Sequence, residues 1–255
     1  MKNRLMTNNN IYFVANWKMY GNLSSLNALN KVINISRSKF FKKAKFIYCP
    51  PFTLLDQFVK KTRNTKIEVG AQDCHFVNGS GPYTGMISAN QIKKLGARYI
   101  ILGHSEKRSD GDTNQIINKK ILISIKEKLK VILCVGETLK DKKNKKEINV
   151  LKTQLNSCLK NLKQKKNIII AYEPVWSIGT GRVPSNVDIY KNVKFIKNFI
   201  KKKFRNNNAV VLYGGSVNQK NIGILNKINN IDGFLIGGAS QNYNKFIDIV
   251  KKTII

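Results

Sequence analysis

Acidic residues are scarce in this sequence, which has 14 Asp and Glu residues against 46 Lys and Arg residues and a formal net charge of +32 at pH 7. A balance this basic is typical of proteins that bind nucleic acid or acidic membranes. The cations, however, are mostly lysines spread along predicted helices, as in residues 140–146 and 201–203, without interleaved aromatic side chains. Lys, Asn and Ile are enriched together, so compositional bias accounts for the charge. We therefore do not expect nucleic acid to be a partner.

Cysteine and histidine are also rare. The two histidines and four cysteines form no Cys-x-x-Cys pair and no group at metal-ligand spacing, because the cysteines are widely scattered: Cys49, Cys74, Cys134 and Cys158. This pattern predicts reduced thiols and no bound metal. The first apolar run, residues 11–15, is far too short for a membrane span or the core of a signal peptide. We therefore expect a cytoplasmic protein that is not bound to a membrane.

The sequence does contain enough apolar residues for one large core, 42% of 255 positions. Eight short apolar segments recur, and most are continuous and not alternating, as in strands covered on both faces: residues 11–15, 46–49, 67–70, 99–102, 131–135, 168–172, 209–213 and 233–236. Amphipathic stretches with helical spacing separate them. The clearest begins at Ser185, with Asp188 as a capping-box partner and Ile189, Val193 and Ile196 on one face.

Two parallel architectures fit this alternation, a closed eight-stranded barrel and an open doubly wound sheet. No Gly-x-Gly-x-x-Gly turn follows the first strand, although this motif is the main sequence signature of an open dinucleotide-binding sheet. Polar or glycine residues follow the ends of many strands, as expected where the strands share one mouth. We therefore predict an α/β fold with a single (β/α)8 barrel over residues 11–255, preceded by a polar extension of residues 1–10 with no assigned role.

Glu173 stands at the end of the sixth apolar segment, in the stretch AYEPVWSIGTG of residues 171–181. A carboxylate at the mouth of an apolar strand should be partly desolvated, which raises its pKa towards the range of a general base. The loop behind it is stiff at Pro174 and Trp176 and rich in glycine at residues 179–181, as in a hinged lid that excludes water. A lone glutamate is more often a helix cap or half of an ion pair, but this loop makes Glu173 the candidate base.

Two further polar positions follow strands. If Ser105 caps a helix, His104 lies beside the positive end of that helix, which favours a neutral ring with a free N–H donor. Lys18, with Asn16, offers a cation and an amide to an anionic substrate or a developing oxyanion. Alternatively, Lys18 forms a Schiff base, but that role requires an apolar pocket and the nearby Glu106 works against it.

Glycine-rich turns follow the seventh and eighth apolar segments, at Gly214-Gly215-Ser216 and Gly237-Gly238. Backbone without side chains presents its N–H groups to a phosphate, and barrels often bind phosphate at these two strand ends. Either sequence alone is explained equally well as a tight turn. Together, at adjacent strand ends, they predict a phosphate site.

These pieces, in this order, resemble the triosephosphate isomerase family over essentially the whole chain, in eight motifs: NWKM (16–19), GAQ (70–72), GPYTG (81–85), ILGHSE (101–106), CVGE (134–137), AYEPVWSIGTG (171–181), YGGSV (213–217) and GGAS (237–240). The resemblance implies a TIM barrel that interconverts dihydroxyacetone phosphate and D-glyceraldehyde 3-phosphate through an enediolate, with no cofactor. The family is a standard case of a glutamate base that works with a neutral histidine under a closing loop.

The resemblance also implies a role for each site residue. Glu173 would be the base and His104 the electrophile, while Lys18 and Asn16 would stabilise the developing oxyanion. The phosphate would be held by four backbone N–H groups, those of Gly179, Ser216, Gly237 and Gly238. The supporting side chains would be Tyr213 as a latch for the closed lid, Glu106 as a guide for Lys18, and Glu137 as the partner of Trp176 when the lid is open.

The family forms homodimers, in which the loop around Thr84 reaches the neighbouring subunit near Asn16 and His104. We therefore expect a homodimer. This chain has Met86 where the family usually has Glu, and Lys107 where it usually has Arg. An intersubunit ion pair expected at these positions is therefore lost.

Other departures affect the lid and one loop. Ser177 stands where the family commonly has Ala and Arg182 where it has Lys, so we expect modest differences in lid kinetics. The segment of residues 109–113 looks about one residue shorter than the usual loop.

Two alternative functions remain open on the sequence alone. A Schiff-base aldolase on another phosphate-binding barrel would use Lys18, and borohydride trapping with substrate would support it. A basic nucleic-acid-binding protein that keeps the barrel as a scaffold would show salt-dependent DNA binding that competes with a phosphate substrate.

Overall fold

Eight parallel strands form a closed barrel in the computed structural model, which describes residues 10–163, 167–205 and 208–255. Strand β8 pairs with β1 and closes the barrel, so the open sheet is wrong and the predicted (β/α)8 barrel is confirmed. Residues 1–9 of the expected extension lie outside the described residues. The strands are β1 Ile11–Asn16, β2 Ala44–Cys49, β3 Ile67–Ala71, β4 Tyr99–Leu102, β5 Lys130–Val135, β6 Ile168–Tyr172, β7 Val211–Tyr213 and β8 Gly233–Ile236.

Helices surround this barrel and connect successive strands. They are α1 Leu29–Arg37, α2 Phe52–Thr62, α3 Ala89–Leu95, α4 Ser105–Ser109, α5 Asn114–Lys126, α6 Leu139–Lys143, α7 Glu147–Cys158, α8 Asn186–Phe204, α9 Ile222–Leu225 and α10 Tyr243–Ile254. Single turns of 3₁₀-helix lie at Leu23–Leu26, Lys39–Phe41, Val175–Ser177 and Gly238–Gln241. Across the described ranges, every helix is too short or too polar to cross a membrane.

Two layers of apolar side chains explain why most strands read as continuous apolar runs. One layer fills the barrel interior, with Val14, Ile47, Ile132 and Leu212 among its members. The other lies between the sheet and the helices and includes many more residues. Because both faces of each strand are covered, alternation between polar and apolar residues is not needed within the strands.

The start of the seventh strand and the cap of α8 differ from the prediction. The seventh strand begins at Val211 and not at residue 209, because its ladder with β6 starts there and the Val211 N–H donates to the Asp232 carboxylate at 2.8 Å. The predicted capping box of α8 is half formed. Ser185 Oγ accepts from the Asp188 N–H at 3.1 Å, but the Asp188 carboxylate turns instead to Lys142 Nζ at 2.8 Å.

A substitution at the seam that closes the barrel should destabilise the fold. Gly233 of β8 is paired with Tyr12 of β1, and a Cβ at Gly233 would collide with the Tyr12 backbone. We expect Gly233→Ala to lower the free energy of unfolding by about 1–3 kcal/mol, the usual range for overpacking, as measured by urea denaturation. Gly223→Ala in α9 is the matched control, because a Cβ there has no atom of residues 10–163, 167–205 or 208–255 within 4 Å. Equal urea midpoints of unfolding for the two variants would contradict the claim that the pairing of β8 with β1 requires glycine at residue 233.

Candidate active site

A cavity of about 200 Å³ opens at the carboxyl ends of the strands. Its lining includes all eight residues that the sequence proposed for chemistry or phosphate binding: Asn16, Lys18, His104, Glu173, Gly179, Ser216, Gly237 and Gly238. The barrel brings them together because parallel strands end at one mouth, although they come from strands far apart in the chain. Of the four supporting residues, Glu106 contacts Lys18 directly, Tyr213 lies 3.4 Å from the Ser177 hydroxyl, and Glu137 accepts a hydrogen bond from Trp176.

Glu173 is almost fully buried, with 2% of its surface exposed. Burial raises the pKa of its carboxyl, and the nearby His104, Cys134 thiol, Ser105 backbone and Lys18 offset this only in part. Within the described residues its Oε1 atom has no hydrogen-bond partner. The side chain is therefore a desolvated carboxyl group with one oxygen free to accept a proton.

His104 faces this carboxylate and also caps the helix that follows it. Its Nδ1 accepts a hydrogen bond from the Glu106 N–H at 3.3 Å, so His104 itself is the N-cap of α4 and the prediction of Ser105 as the cap is wrong. An Nδ1 that accepts carries no hydrogen, which places the ring proton on Nε2 in a neutral imidazole. His104 Nε2 lies 3.5 Å from Glu173 Oε1.

Lys18 is held from three sides at the end of β1. Its φ of +54° is unusual for a residue with a side chain, and its N–H donates to Asn16 Oδ1 at 3.1 Å. Its Nζ donates to Glu106 Oε1 at 2.6 Å, and its carbonyl oxygen accepts from Gln72 Nε2 at 2.8 Å. The ammonium group therefore sits in an ion pair, the opposite of the apolar pocket that a Schiff-base lysine needs.

Glycines and a serine form part of the cavity wall, so little side chain covers the backbone there. They are Gly179, Ser216, Gly237 and Gly238. The Lys18 side chain packs along the same wall, since a Cβ at Gly237 would lie 3.5 Å from Lys18 Cε. A cation and several peptide groups thus border one hollow that suits an anionic group.

The loop of residues 174–181 covers one side of the cavity, and its stem is fixed by a buried hydrogen-bond chain. Trp176 Nε1 donates to Glu137 Oε1 at 3.1 Å, and the Tyr172 hydroxyl donates to the same carboxylate at 3.2 Å. Asn192 Nδ2 donates in turn to the Tyr172 oxygen at 2.6 Å. Burial raises the pKa of Glu137, and these donors partly offset that effect. The predicted pair of Trp176 and Glu137 is therefore in contact in this structure.

Three contacts at the site were not identified from the sequence. Gln72 bonds the Lys18 carbonyl, Cys134 lies beside Glu173 as a buried thiol, and Ser177 bonds the lid to the turn after β7. Burial raises the pKa of the Cys134 thiol well above its usual range, so it is a neutral neighbour. Gln72 was visible as a polar residue directly after β3. The other two had no local signal that named their partners.

Taken together, these groups provide a proton acceptor, a neutral N–H donor, a cation and an anion-binding backbone around one hollow. This combination suits proton abstraction next to a carbonyl in a small anionic molecule. In the part of the chain that the structure describes, no three His, Cys, Asp or Glu side chains are grouped closely enough to hold a metal ion.

Comparison with known proteins gives a consistent family. The family model described as triosephosphate isomerase matches residues 11–253. The triosephosphate isomerase of Thermodesulfovibrio yellowstonii is 40% identical over 244 residues, covering 94% of this chain and 98% of that protein. That of Buchnera aphidicola from Schizaphis graminum is 41% identical over 244 residues, covering 93% and 95%. The crystal structure of triosephosphate isomerase from Bartonella henselae superposes with a TM-score of 0.86 at 35% identity, covering 95% of this chain and 98% of that one.

The desolvation of Glu173 should be measurable as a pH-dependent cost to stability. Its pKa is raised in the folded state, so its ionised form destabilises the fold increasingly as pH rises from the unfolded value near 4.5 through the folded value. The gain in unfolding free energy from Glu173→Gln should therefore grow with pH in urea denaturation. Asp188→Asn is the control, and it should lower the unfolding free energy increasingly as pH rises. The Lys142 hydrogen bond lowers the pKa of Asp188, so the charge of Asp188 stabilises the fold. If the gain in unfolding free energy from Glu173→Gln stays constant or falls as pH rises, the pKa of Glu173 is not raised in the folded state.

Proposed function

The chain belongs to the triosephosphate isomerase family, and from its site geometry we propose how its residues interconvert dihydroxyacetone phosphate and D-glyceraldehyde 3-phosphate. The proposal is carried by one observation. Glu173 Oε1, which has no hydrogen-bond partner in the part of the chain that the structure describes, lies 3.5 Å from His104 Nε2 inside a cavity that Lys18 and backbone peptides also line. A base and an electrophile this close can act on neighbouring atoms of one three-carbon substrate.

In the first step, the Glu173 carboxylate takes a proton from the carbon next to the substrate carbonyl. The C–H electron pair becomes a carbon–carbon double bond, and the carbonyl oxygen takes on negative charge to give an enediolate. His104 donates its Nε2–H to that oxygen, while the Lys18 ammonium and the Asn16 amide stabilise the charge. The apolar burial of Glu173 favours this step, since a raised pKa makes the carboxylate a stronger base.

In the second step, Glu173 returns the proton to the other carbon, and His104 exchanges protons between the two oxygens. One proton moves between carbons and one between oxygens, so the reaction balances without an oxidant or reductant. Water reaching the enediolate would compete with this return. The loop of residues 174–181 is therefore proposed to close as a lid over the site.

The phosphate group is proposed to bind the backbone N–H groups of Gly179, Ser216, Gly237 and Gly238. All four residues line the cavity, and the Lys18 stem packs beside Gly237. Tyr213 is proposed to latch the closed lid, and burial raises the pKa of its phenol to about 12, so it acts as a neutral hydrogen-bonding group. Glu106 keeps Lys18 oriented, and Glu137 holds Trp176 while the lid is open.

The setting of this activity is also part of the proposal. Interconversion of triose phosphates belongs to glycolysis and gluconeogenesis, and we propose that it takes place in the cytoplasm, in a single catalytic domain of residues 11–255. The four cysteines are buried and unpaired, as is usual for proteins of a reducing compartment.

A homodimer through the loop around Thr84 is proposed on the basis of exposed apolar side chains. Tyr83 and Met86 on this loop are 43% and 59% exposed, and Met19 and Tyr20 after β1 are 94% and 59% exposed. Such a group of apolar side chains on turns at the mouth is typical of a surface that is covered by a partner.

Removal of the proposed base should abolish most of the turnover. Glu173→Gln keeps the size of the side chain and removes its basicity, so we expect kcat for glyceraldehyde 3-phosphate to fall by about 10²- to 10⁴-fold in a coupled assay. Competitive inhibition by inorganic phosphate, measured on the residual activity, should stay nearly unchanged. Glu127→Gln after α5 is the matched control and should keep wild-type activity. A loss of less than tenfold would remove Glu173 from the base role.

A charge placed on the proposed interface should separate the subunits. We expect the wild-type chain to sediment as a dimer and Tyr83→Arg to sediment as a monomer with reduced activity, since a charge desolvated at an interface is costly. Ile224→Arg is the control, because Ile224 is also exposed, at 57%, but lies on α9. If Tyr83→Arg stays dimeric, this loop is not the interface.

A further inference from the structure

The hydroxyl group of Ser177 lies at the centre of a small buried network inside the lid. Its Oγ donates to the Arg182 carbonyl oxygen at 2.6 Å, accepts from the Ser216 N–H at 3.2 Å and lies 3.4 Å from the Tyr213 hydroxyl. Ser177 is fully buried. A residue near the start of the lid is thus joined both to the residue after the lid and to the turn that follows β7.

These contacts use the full hydrogen-bonding capacity of one hydroxyl group, which can donate one hydrogen and accept two. The single Ser177 hydrogen goes to Arg182, so Tyr213 must act as the donor in its contact with Ser177. An alanine here, the residue common in the family, would accept nothing. The network is therefore a property of this chain and not of the backbone alone.

The turn after β7 is shaped to let the hydroxyl approach. A Cβ at Gly215 would lie 2.8 Å from Ser177 Oγ and would also collide with the Tyr213 hydroxyl. A side chain at this position would therefore break the network, whatever else it contacted. Gly215 brings the Ser216 N–H within reach of the lid.

The Ser216 N–H is also one of the proposed phosphate donors, and it has only one hydrogen. It cannot give that hydrogen fully to Ser177 Oγ and to a phosphate oxygen at the same time. We propose that Ser177 is a positioning residue that competes with the substrate phosphate for the Ser216 N–H, and so couples phosphate binding to release of the lid from its contact with the turn after β7. This inference rests on the proposed function and adds to it a residue that sets substrate affinity.

The direction of the effect follows from this competition. In the structure the Ser216 N–H donates to Ser177 Oγ, so a phosphate that takes this N–H must displace an existing bond. Removing the Ser177 hydroxyl leaves the N–H without that partner, and phosphate then binds without the exchange. A change that merely loosened the lid would weaken phosphate binding instead.

The test is competitive inhibition of Ser177→Ala by inorganic phosphate and by glycerol 3-phosphate, with glyceraldehyde 3-phosphate as the substrate. We expect both inhibition constants to fall by about two- to fivefold, the equivalent of one modest hydrogen bond. The KM should fall by a similar factor and kcat should not rise. Inhibition is preferable to direct binding, because 46 Lys and Arg residues would adsorb phosphate elsewhere on the surface.

Two further variants complete the design. Ser36→Ala in α1 removes another buried hydroxyl, one that bonds the Ile33 carbonyl oxygen at 2.7 Å, and should leave both inhibition constants unchanged. If Ser177→Ala does not fold, Ser177→Cys provides the same test, because a thiol is a weak acceptor and should also lower the constants.

The possible failures are distinct. Inhibition constants that are unchanged or higher in the Ser177 variants overturn this inference, while wild-type turnover of glyceraldehyde 3-phosphate leaves the proposed function standing. Absence of turnover in the wild type counts against the proposed function itself.

Discussion

The carboxyl group of Glu173 is held out of water at the end of β6, where one oxygen has no hydrogen-bond partner among the described residues and faces an imidazole at 3.5 Å. Keeping a carboxylate in such a place lowers stability and makes it a better proton acceptor, for the same physical reason. The groups around it are fixed by contacts that the proposed reaction does not use. His104 is fixed because it caps α4, and Lys18 is fixed by Glu106 and Gln72.

The proposed lid and the proposed phosphate site are joined by contacts of their own. The Trp176–Glu137 hydrogen bond holds the stem of the lid, and the Ser177 hydroxyl joins the lid to the turn that carries Ser216. Both contacts are present in the structure, so the proposed closure of the lid exchanges hydrogen bonds and does not simply add them. On this proposal, the affinity for a phosphate depends on residues that the substrate does not touch, a common consequence of gating.

The strands were predictable because burial on both faces leaves continuous apolar runs. The closed barrel was predictable because polar residues follow many of those runs, as expected where the strands end at one shared mouth. Local preference failed where tertiary geometry decides. Ser105 has the usual chemistry of a cap, yet the His104 ring reaches the Glu106 N–H instead. The contacts of Gln72 and Cys134 join residues distant in sequence, so no spacing rule revealed them. The chemistry of the strand ends already suggested a base at Glu173, a neutral donor at His104 and a phosphate site, but it left a Schiff-base Lys18 possible. The supporting roles came from motifs that resemble the family.

The central claim is that a carboxylate shielded from solvent moves the proton between two carbons of the substrate. It is tested most directly by running the isomerisation in D₂O and analysing the first-formed product by NMR for hydrogen and deuterium at the carbon that receives the proton. A shielded base predicts a mixture, in which a measurable fraction of product keeps the hydrogen taken from the substrate. Product labelled entirely with deuterium, with none of the original hydrogen transferred, would contradict a base that is protected from water.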